Sequence, residues 1–259
     1  MAKVISITNQ KGGVGKTTTS INLAASLVKR GQKILLIDMD PQGNATVGCG
    51  VDPDDIESTI YDVLLGEASA EQAIVKSQCG VHVMSANGDL AGAQVELLNE
   101  IGRELRLQKA LIPQQDAFDY IFIDCPPALN VLTINALVAS DSVLIPMQCE
   151  YFALEGLSAL ISTVRKIRET LNPKLSIEGL LRTMFDKRNT LSGEVSRQLQ
   201  SHFGEKVYDT VVPRNVRLAE APSYGEPAID YAPESKGAKA YLGLADEMLG
   251  KSIPKAVSA

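Results

Sequence analysis

The sequence predicts an α/β fold: a single doubly wound, mostly parallel sheet with helices on both faces. Residues 4–8 are a short β-branched run, residues 19–30 repeat apolar side chains at helical spacing, and residues 33–38 are a second apolar run. A strand, a helix and a strand within about thirty-five residues form a βαβ unit, whose strands lie parallel. No linker or repeat divides the 259 residues, so we expect one domain over residues 1–250 and a frayed tail over residues 251–259.

The other elements follow from apolar periodicity and from the residues that end each segment. Helices are predicted over residues 59–65, 70–76, 95–111, 130–139, 153–171, 192–203 and 236–249. Strands are predicted over residues 81–85, 119–124, 142–146, 175–184 and 210–212. Proline or glycine ends several of these segments, as at Pro113, Pro173 and Gly250.

A glycine-rich loop, residues 10–18 (QKGGVGKTT), joins the first strand to the first helix. Its glycines let backbone N–H groups turn toward one centre, and the next helix aims its positive N-terminal end there. Lys16 adds charge for β- and γ-phosphates, and the Thr17 hydroxyl is placed to ligate Mg²⁺. The alternative is a glycine-rich turn without a ligand. The expected phosphate-binding residues are Lys11, Gly12, Gly13, Val14, Gly15, Lys16, Thr17 and Thr18.

Carboxylates follow two predicted strands at the edge of the sheet where ligands bind. Asp124 ends an apolar strand, where a carboxylate can hold the water shell of Mg²⁺ opposite Thr17. Asp38 and Asp40 follow the second strand, and a carboxylate near the γ-phosphate can hold an attacking water in line. Asp38 could instead cap a helix or be a solvated strand end.

The loop departs from the usual phosphate-loop pattern, because Gln10 replaces its first glycine and Lys11 is a second lysine. In this it resembles the deviant Walker A motif of the ParA/MinD branch of P-loop ATPases. Residues 38–44 (DMDPQGN) and 124–127 (DCPP) are similar to the switch I and switch II regions of the ParA family, and residues 212–225 also match it. The resemblance runs from residue 2 to about residue 249 and is close to chromosomal ParA/Soj-type partition ATPases.

This resemblance implies a P-loop NTPase fold and Mg²⁺-dependent ATP hydrolysis. It also implies an ATP-bound sandwich dimer that binds double-stranded DNA without sequence preference, and hydrolysis stimulated by a ParB-type partner. Lys11, Lys16 and Asp40 would be catalytic: Lys11 would reach the other subunit's nucleotide, and Asp40 would orient the attacking water. The implied adenine contacts are Pro213 and Asn215, although an asparagine after proline is also ordinary turn chemistry. The implied magnesium ligands are Thr17, Asp124 through water and, as a further ligand through water, Asp40.

The charge distribution indicates an anionic partner, although the formal net charge is −6. Residues 165–217 hold eleven Lys and Arg against six Asp and Glu. Arg188 and Arg217 match positions that bind DNA in Soj-type proteins, and Lys187 and Arg214 flank them as secondary candidates. The alternative is that these are ordinary surface charges or structural ion pairs.

Other functions stay open at this stage. The first alternative is a MinD-like membrane-associated cell-division ATPase, but Asp246 and Glu247 in the last helix argue against a lipid-binding face. The second alternative is a relative of nitrogenase iron protein or dethiobiotin synthetase. The third is an ATP-binding scaffold without turnover. The four cysteines form no C-x-x-C pair and are expected to be reduced, mostly buried thiols. We expect a cytoplasmic, nucleoid-associated protein that does not bind membrane.

Overall fold

In the computed structural model, which describes residues 1–250, eight strands form one sheet. The strands are β1 (Lys3–Ile7), β2 (Ile34–Asp38), β3 (Ile74–Lys76), β4 (His82–Met84), β5 (Tyr120–Asp124), β6 (Ser142–Gln148), β7 (Ser176–Phe185) and β8 (Val207–Pro213). Their order is β3-β4-β2-β5-β1-β6-β7-β8, and every pair is parallel except β3–β4. The predicted α/β fold with a mostly parallel sheet is confirmed; the predicted tail lies outside the described residues.

Helices cover both faces of this sheet. They are α1 (Lys16–Lys29), α2 (Asn44–Gly48), α3 (Ile60–Leu65), α4 (Leu90–Glu96), α5 (Arg106–Leu111), α6 (Val131–Ala139), α7 (Ala153–Thr170), α8 (Thr190–Phe203), α9 (Val216–Glu220), α10 (Ala228–Tyr231) and α11 (Lys236–Met248). Ile5 and Ile7 of β1 pack in a cluster with α1 and α11, whereas Val4 packs in another with α3 to α6. Successive strand residues point to opposite faces, which explains why strands buried on both sides are apolar throughout.

The central position of β1 fixes where a ligand can bind. β1 lies between β5 and β6. The connection from β1 leads to β2 on one side of it, whereas the connection from β5 leads to β6 on its other side, so the strand order reverses at β1. Ligands of open parallel sheets bind at such a reversal, beyond the carboxyl ends of the strands. The glycine-rich loop follows β1 there, and Asp38 and Asp124 pair in register at the ends of β2 and β5.

Two helix predictions were wrong. Residues 70–76 end in strand β3, where Val75 pairs with Val83 of β4 and the turn closes through Gly80 with φ of +85°. The helix predicted over residues 95–111 is broken, because Glu100 is extended and Gly102 has φ of +70°. In both segments the apolar spacing suited a helix, but tertiary pairing or a left-handed glycine decided the backbone.

Candidate functional site

Three side chains near the carboxyl ends of β1, β6 and β7 form hydrogen bonds with the backbone of the glycine-rich loop. The Asn9 amide oxygen accepts from the Lys11 N–H at 3.0 Å, Gln148 Nε2 donates to the Gly13 carbonyl at 2.9 Å, and Thr183 Oγ1 donates to the Val14 carbonyl at 2.7 Å. The N–H groups of residues 12–18 donate to no acceptor within the described part of the chain. A row of unpaired N–H groups that leads into a helix N-terminus is an anion-binding arrangement.

Lys16 lies beneath this loop and is almost fully buried, with 7% of its surface exposed. Burial lowers the pKa of its ammonium group, and the nearby carboxylates of Asp124 and Asp40 partly offset that shift. A buried cation without a direct ion pair is costly unless an anion compensates it. The Lys16 environment therefore favours a negatively charged ligand in the loop.

Asp124 meets the first turn of α1 at two points. Its Oδ2 accepts from Thr17 Oγ1 at 2.8 Å, and its Oδ1 accepts from Ser20 Oγ at 2.6 Å. Burial raises the pKa of the Asp124 carboxyl, the neighbouring Asp38 raises it further, and the two hydroxyl donors lower it. A hydroxyl and a carboxylate side by side are the hard oxygen ligands that Mg²⁺ prefers. The residues present thus fit this ion.

Asp38 is a fully buried support for the loop that carries Asp40. Its carboxylate accepts from the Thr46 N–H and the Thr46 hydroxyl, each at 2.9 Å, and from the Asp40 N–H at 3.1 Å. Thr46 Oγ1 also accepts from the Ala86 N–H at 3.0 Å, which joins this network to the chain after β4. These bonds anchor α2, a helix that the sequence did not indicate. Asp40 is partly exposed and lies close enough to Lys16 to affect its pKa.

A cleft of about 320 Å³ opens beside the loop, between the ends of β7 and β8. Its walls include Thr18, Met184, Pro213 and Asn215, so both predicted adenine contacts line it. Asn215 also caps α9, where its Oδ1 accepts from the Arg217 N–H at 3.0 Å, and its side-chain N–H groups donate to no acceptor among residues 1–250. Turn chemistry and ligand contact are therefore compatible at this asparagine.

Lys11 lies on the outer side of the loop, where it is close to half exposed. Its ammonium group pairs with Glu150 at 2.5 Å, beyond the end of β6. Tyr151 and Phe152, both exposed, follow Glu150 and form an edge-to-face pair with centroids 4.9 Å apart. Exposed aromatic residues are enriched at protein interfaces, so this side of the loop is suited to a second protein surface.

The predicted DNA-binding residues differ in whether their charged groups form ion pairs with acidic side chains. Arg188 pairs with Asp186 at 2.9 Å, and Arg217 pairs with Glu220 at 2.7 Å. Lys187 and Arg214 make no ion pair within residues 1–250, and Arg214 also lines the cleft. Arg182, counted above among the eleven basic residues, is buried and bonds to Ser196 and to backbone carbonyls of β8. Fewer basic side chains are therefore exposed and unpaired than the eleven Lys and Arg counted in residues 165–217.

Several supporting residues were missed by sequence reasoning. Ser20, Thr46, Gln148, Thr183 and Glu150 each bond to a group in or beside the loop. Only Ser20 carried a local signal, because it lies one helical turn after Lys16 on the same face. No helix of the described residues could cross a membrane, and they contain no group of three or more His, Cys, Asp or Glu suited to a metal ion.

Comparison with known proteins gives consistent matches over nearly the whole chain. The model of the AAA domain family matches residues 2–177. The chain is 54% identical over 249 residues to the sporulation initiation inhibitor protein Soj of Bacillus subtilis, covering 96% of this chain and 98% of that protein. It is 49% identical over 252 residues to the chromosome partitioning protein ParA of Caulobacter vibrioides, covering 96% and 94%. Its fold is similar to that of cobyrinic acid a,c-diamide synthase from Mycobacterium smegmatis with bound ATP analog and magnesium, with a TM-score of 0.84 at 37% identity over 96% of this chain and 95% of that one.

Proposed function

The chain belongs to the ParA/Soj family of chromosome-partitioning ATPases, and from this premise we propose that it moves DNA through an ATP-dependent cycle. In this cycle an ATP-bound sandwich dimer binds double-stranded DNA without sequence preference. Hydrolysis, stimulated by a ParB-type partner, then releases the DNA. Such a protein would be cytoplasmic and associated with the nucleoid.

The observation that carries the nucleotide part is the set of unpaired N–H groups over residues 12–18, next to the buried Lys16. The backbone N–H groups would bind the phosphate oxygens, and Lys16 would neutralise the β- and γ-phosphates. The adjoining cleft, lined by Pro213 and Asn215, has room for the base. Thr17 and, through water, Asp124 would hold Mg²⁺, with Asp40 as a further ligand through water. The ion, when bound, would neutralise charge on the phosphates.

Asp40 is the residue best placed to orient the attacking water. It follows β2 at the ligand-binding edge, near Lys16, and the buried Asp38 fixes its backbone through the 3.1 Å bond to its N–H. A carboxylate held in this way can accept a hydrogen bond from water and keep it in line with the γ-phosphate. Hydrolysis would therefore depend on Asp40, whereas binding would not.

Dimerisation would complete the site through Lys11. This lysine is on the exposed side of the loop beside the Tyr151–Phe152 pair, and its partner Glu150 is half exposed. A surface ion pair of this kind contributes about 0–1 kcal/mol, so little free energy opposes its exchange for a phosphate of a second subunit. Lys11 is proposed to make that exchange when ATP is bound.

DNA binding would use the basic surface, which we define as Lys187, Arg188, Arg214 and Arg217. One protomer offers few such charges, and two protomers held by ATP would double them. Contacts from lysine and arginine to phosphates carry no sequence information. Nucleotide would thus control DNA binding without base recognition.

A co-sedimentation assay tests this function. The full chain is incubated with unrelated DNA duplexes in the presence of ATP, ADP or no nucleotide, over a range of salt concentrations, and in parallel with anionic lipid vesicles. We expect ATP-dependent binding, equal for all sequences, with a salt slope of about −0.9 per phosphate neutralised. Equal binding without nucleotide would contradict the cycle, and binding to vesicles in place of DNA would favour the MinD-like alternative.

A further inference from the structure

Two adjacent strands each direct one side chain, near the carboxyl end of the strand, to a carbonyl group of the glycine-rich loop. Gln148 of β6 pairs in parallel register with Thr183 of β7, so their side chains leave the same face of the sheet. Gln148 Nε2 donates to the Gly13 carbonyl at 2.9 Å, and Thr183 Oγ1 donates to the Val14 carbonyl at 2.7 Å. Both carbonyl groups are therefore fixed on the side of the loop that faces β6 and β7.

The direction of these carbonyl groups decides where the neighbouring N–H groups point. In a planar trans peptide the C=O and N–H bonds point in opposite directions. The bond to the Gly13 carbonyl therefore turns the Val14 N–H to the other side of the loop, and the bond to the Val14 carbonyl does the same for the Gly15 N–H. Neither N–H group has an acceptor within residues 1–250, so both can bind the oxygens of an anion.

The backbone of the loop does not fix this orientation by itself. Each of the two peptide planes has a glycine on one side, namely Gly13 with φ of +72° and Gly15 with φ of +87°. Glycine adopts both signs of φ at little cost, so the backbone opposes a rotation of either plane only weakly. A rotated plane would point a carbonyl oxygen, which repels an anion, at the proposed phosphate site. The donors from β6 and β7 thus supply the restraint that the glycines lack.

A strained residue in β7 explains how this strand serves the loop. Met184, with φ of +48°, is the one non-glycine residue with positive φ among residues 1–250. Successive side chains of a regular strand point to opposite faces, yet Thr183 and Met184 both line the cleft beside the loop. The pairing of β7 with β8 is irregular at this point, between Arg182 and Phe185, and the Met184 Sδ lies 2.8 Å from Gln148 Nε2. Strain of this kind is concentrated at functional sites.

We propose that Gln148 and Thr183 are positioning residues, which fix the two peptide planes on either side of Val14 so that their N–H groups face the phosphates. The left-handed backbone at Met184 keeps Thr183 directed at the loop while the Met184 side chain packs beside Gln148. This role differs from that of Lys16, which supplies charge, because Gln148 and Thr183 act through the backbone of the loop. It rests on the phosphate site proposed above.

The first test removes each donor without changing the charge of the protein. Thr183→Val and Gln148→Met should each weaken ATP binding about 5- to 20-fold in calorimetric titration, because one peptide plane loses its restraint. Thr183→Ser keeps the hydroxyl donor and should bind ATP within about twofold of the parent. The two donors hold separate peptide planes, so each variant is an independent test, and thermal melting verifies that each is folded.

A matched control separates positioning from a general loss of stability. Gln108→Met removes a comparable hydrogen bond, from Gln108 Nε2 to the Val138 carbonyl at 3.1 Å, between α5 and α6. Its melting temperature should fall about as much as that of Gln148→Met, but its ATP affinity should equal that of the parent. An equal loss of ATP affinity in Gln108→Met and Gln148→Met would mean that the loss follows from stability, and it overturns the positioning role.

The choice of ligand separates positioning from direct contact with the base, because Thr183 also lines the cleft. Inorganic triphosphate with Mg²⁺ has no base, and competition with ATP measures its affinity. If the peptide planes are the cause, Thr183→Val and Gln148→Met should weaken triphosphate and ATP by the same factor. A loss for ATP without a loss for triphosphate would mean that these side chains contact the base, which overturns the proposal.

Two substitutions of Met184 test the requirement for a left-handed backbone. Asparagine tolerates positive φ, whereas a β-branched residue such as valine strongly disfavours it. Met184→Asn should therefore bind ATP within about threefold of the parent, and Met184→Val should lose about as much affinity as Thr183→Val. Binding that is equal in the two Met184 variants, or tighter with valine, would refute the role of the strained backbone.

Lys16→Ala, titrated with the same ligands, distinguishes the failure of this inference from the failure of the phosphate site. If Lys16→Ala weakens the binding of ATP and triphosphate while Thr183→Val and Gln148→Met bind both as the parent does, the phosphate site stands and the positioning role is refuted. If the parent and Lys16→Ala bind triphosphate equally, the phosphate site itself is contradicted.

Discussion

Two charged regions of the molecule differ in burial and in the partners of their side chains. One is the phosphate-loop centre, which we define as residues 12–18 with Asp38, Asp40 and Asp124; the other is the basic surface. In the centre, Asp38 and Asp124 are fully buried and accept hydrogen bonds from hydroxyl or N–H groups of other elements. On the basic surface, Arg188 and Arg217 are exposed and pair with acids two and three residues away. One region is fixed by tertiary structure, and the other by local pairs that solvent screens.

This difference determines how much a single side chain contributes. A buried polar group left without its partner costs about 1–3 kcal/mol, because it has lost water and gains nothing in return. Exposed ion pairs can exchange their partner for another anion at little cost. Substitutions in the centre should therefore have large, specific effects, and substitutions on the basic surface should have small effects that depend on salt.

The largest expected effect is on catalysis in the centre. Asp40→Ala should lower the rate of ATP hydrolysis by about 10²- to 10⁴-fold, because water positioning acts only in the transition state. ATP affinity should stay within a factor of about two. Steady-state hydrolysis and calorimetric titration measure the two quantities, and Asp55→Ala, an exposed carboxylate outside the site, is the control. Parent-like turnover of Asp40→Ala would remove Asp40 from the mechanism.

Binding in the centre should be the next most sensitive property. Lys16→Ala removes the buried charge that faces the proposed phosphates and should weaken ATP binding on the order of 100-fold. Lys33→Ala, an exposed lysine before β2, should leave the affinity unchanged. If calorimetry gave the same affinity for Lys16→Ala and the parent, the loop would not be a phosphate site.

The same contrast explains which parts the sequence could predict. The glycine loop and the carboxylate of Asp124 were found because backbone geometry and strand ends impose local patterns. Ser20 and Asp124 are 104 positions apart, so their bond depends on how β5 lies beside α1. Arg182 was counted with the basic residues of the positive segment, yet it lies buried in β7, where Ser196 and neighbouring carbonyls accept its hydrogen bonds. Long-range partners of this kind have no signature in a single sequence.

Thr46 tests whether the centre also contributes to stability. Thr46→Val keeps the shape of the side chain but removes a donor to Asp38 and the acceptor for the Ala86 N–H. We expect a loss of about 2–3 kcal/mol in the free energy of unfolding and a melting temperature lower by about 4–12 °C. Thr170→Val, at the exposed end of α7, is the matched control and should change stability by less than about 0.5 kcal/mol. Equal losses in the two variants would mean that the buried network adds no stability.

The smallest effect, and the sharpest test of the basic surface, concerns the pairing of Arg217 with Glu220. If the acid masks the arginine, Glu220→Gln should strengthen DNA binding by the ATP-loaded protein about twofold to fivefold. The salt slope should become steeper by about 0.9, because one more cation is free to neutralise a phosphate. Arg217→Glu should weaken binding to all sequences alike and leave ATP affinity unchanged.

Removing any acid also raises the net charge of the protein by one, so a matched variant must separate this general effect from unmasking. Glu205→Gln serves this purpose, because Glu205 is exposed in the same basic segment and makes no ion pair within the described residues. Salt titrations of both variants on one DNA duplex give the comparison. A gain confined to Glu220→Gln supports a masked arginine at the DNA interface. Equal gains in the two variants would mean that DNA responds to the overall field, so that Arg217 has no individual role and the local ion pair is incidental.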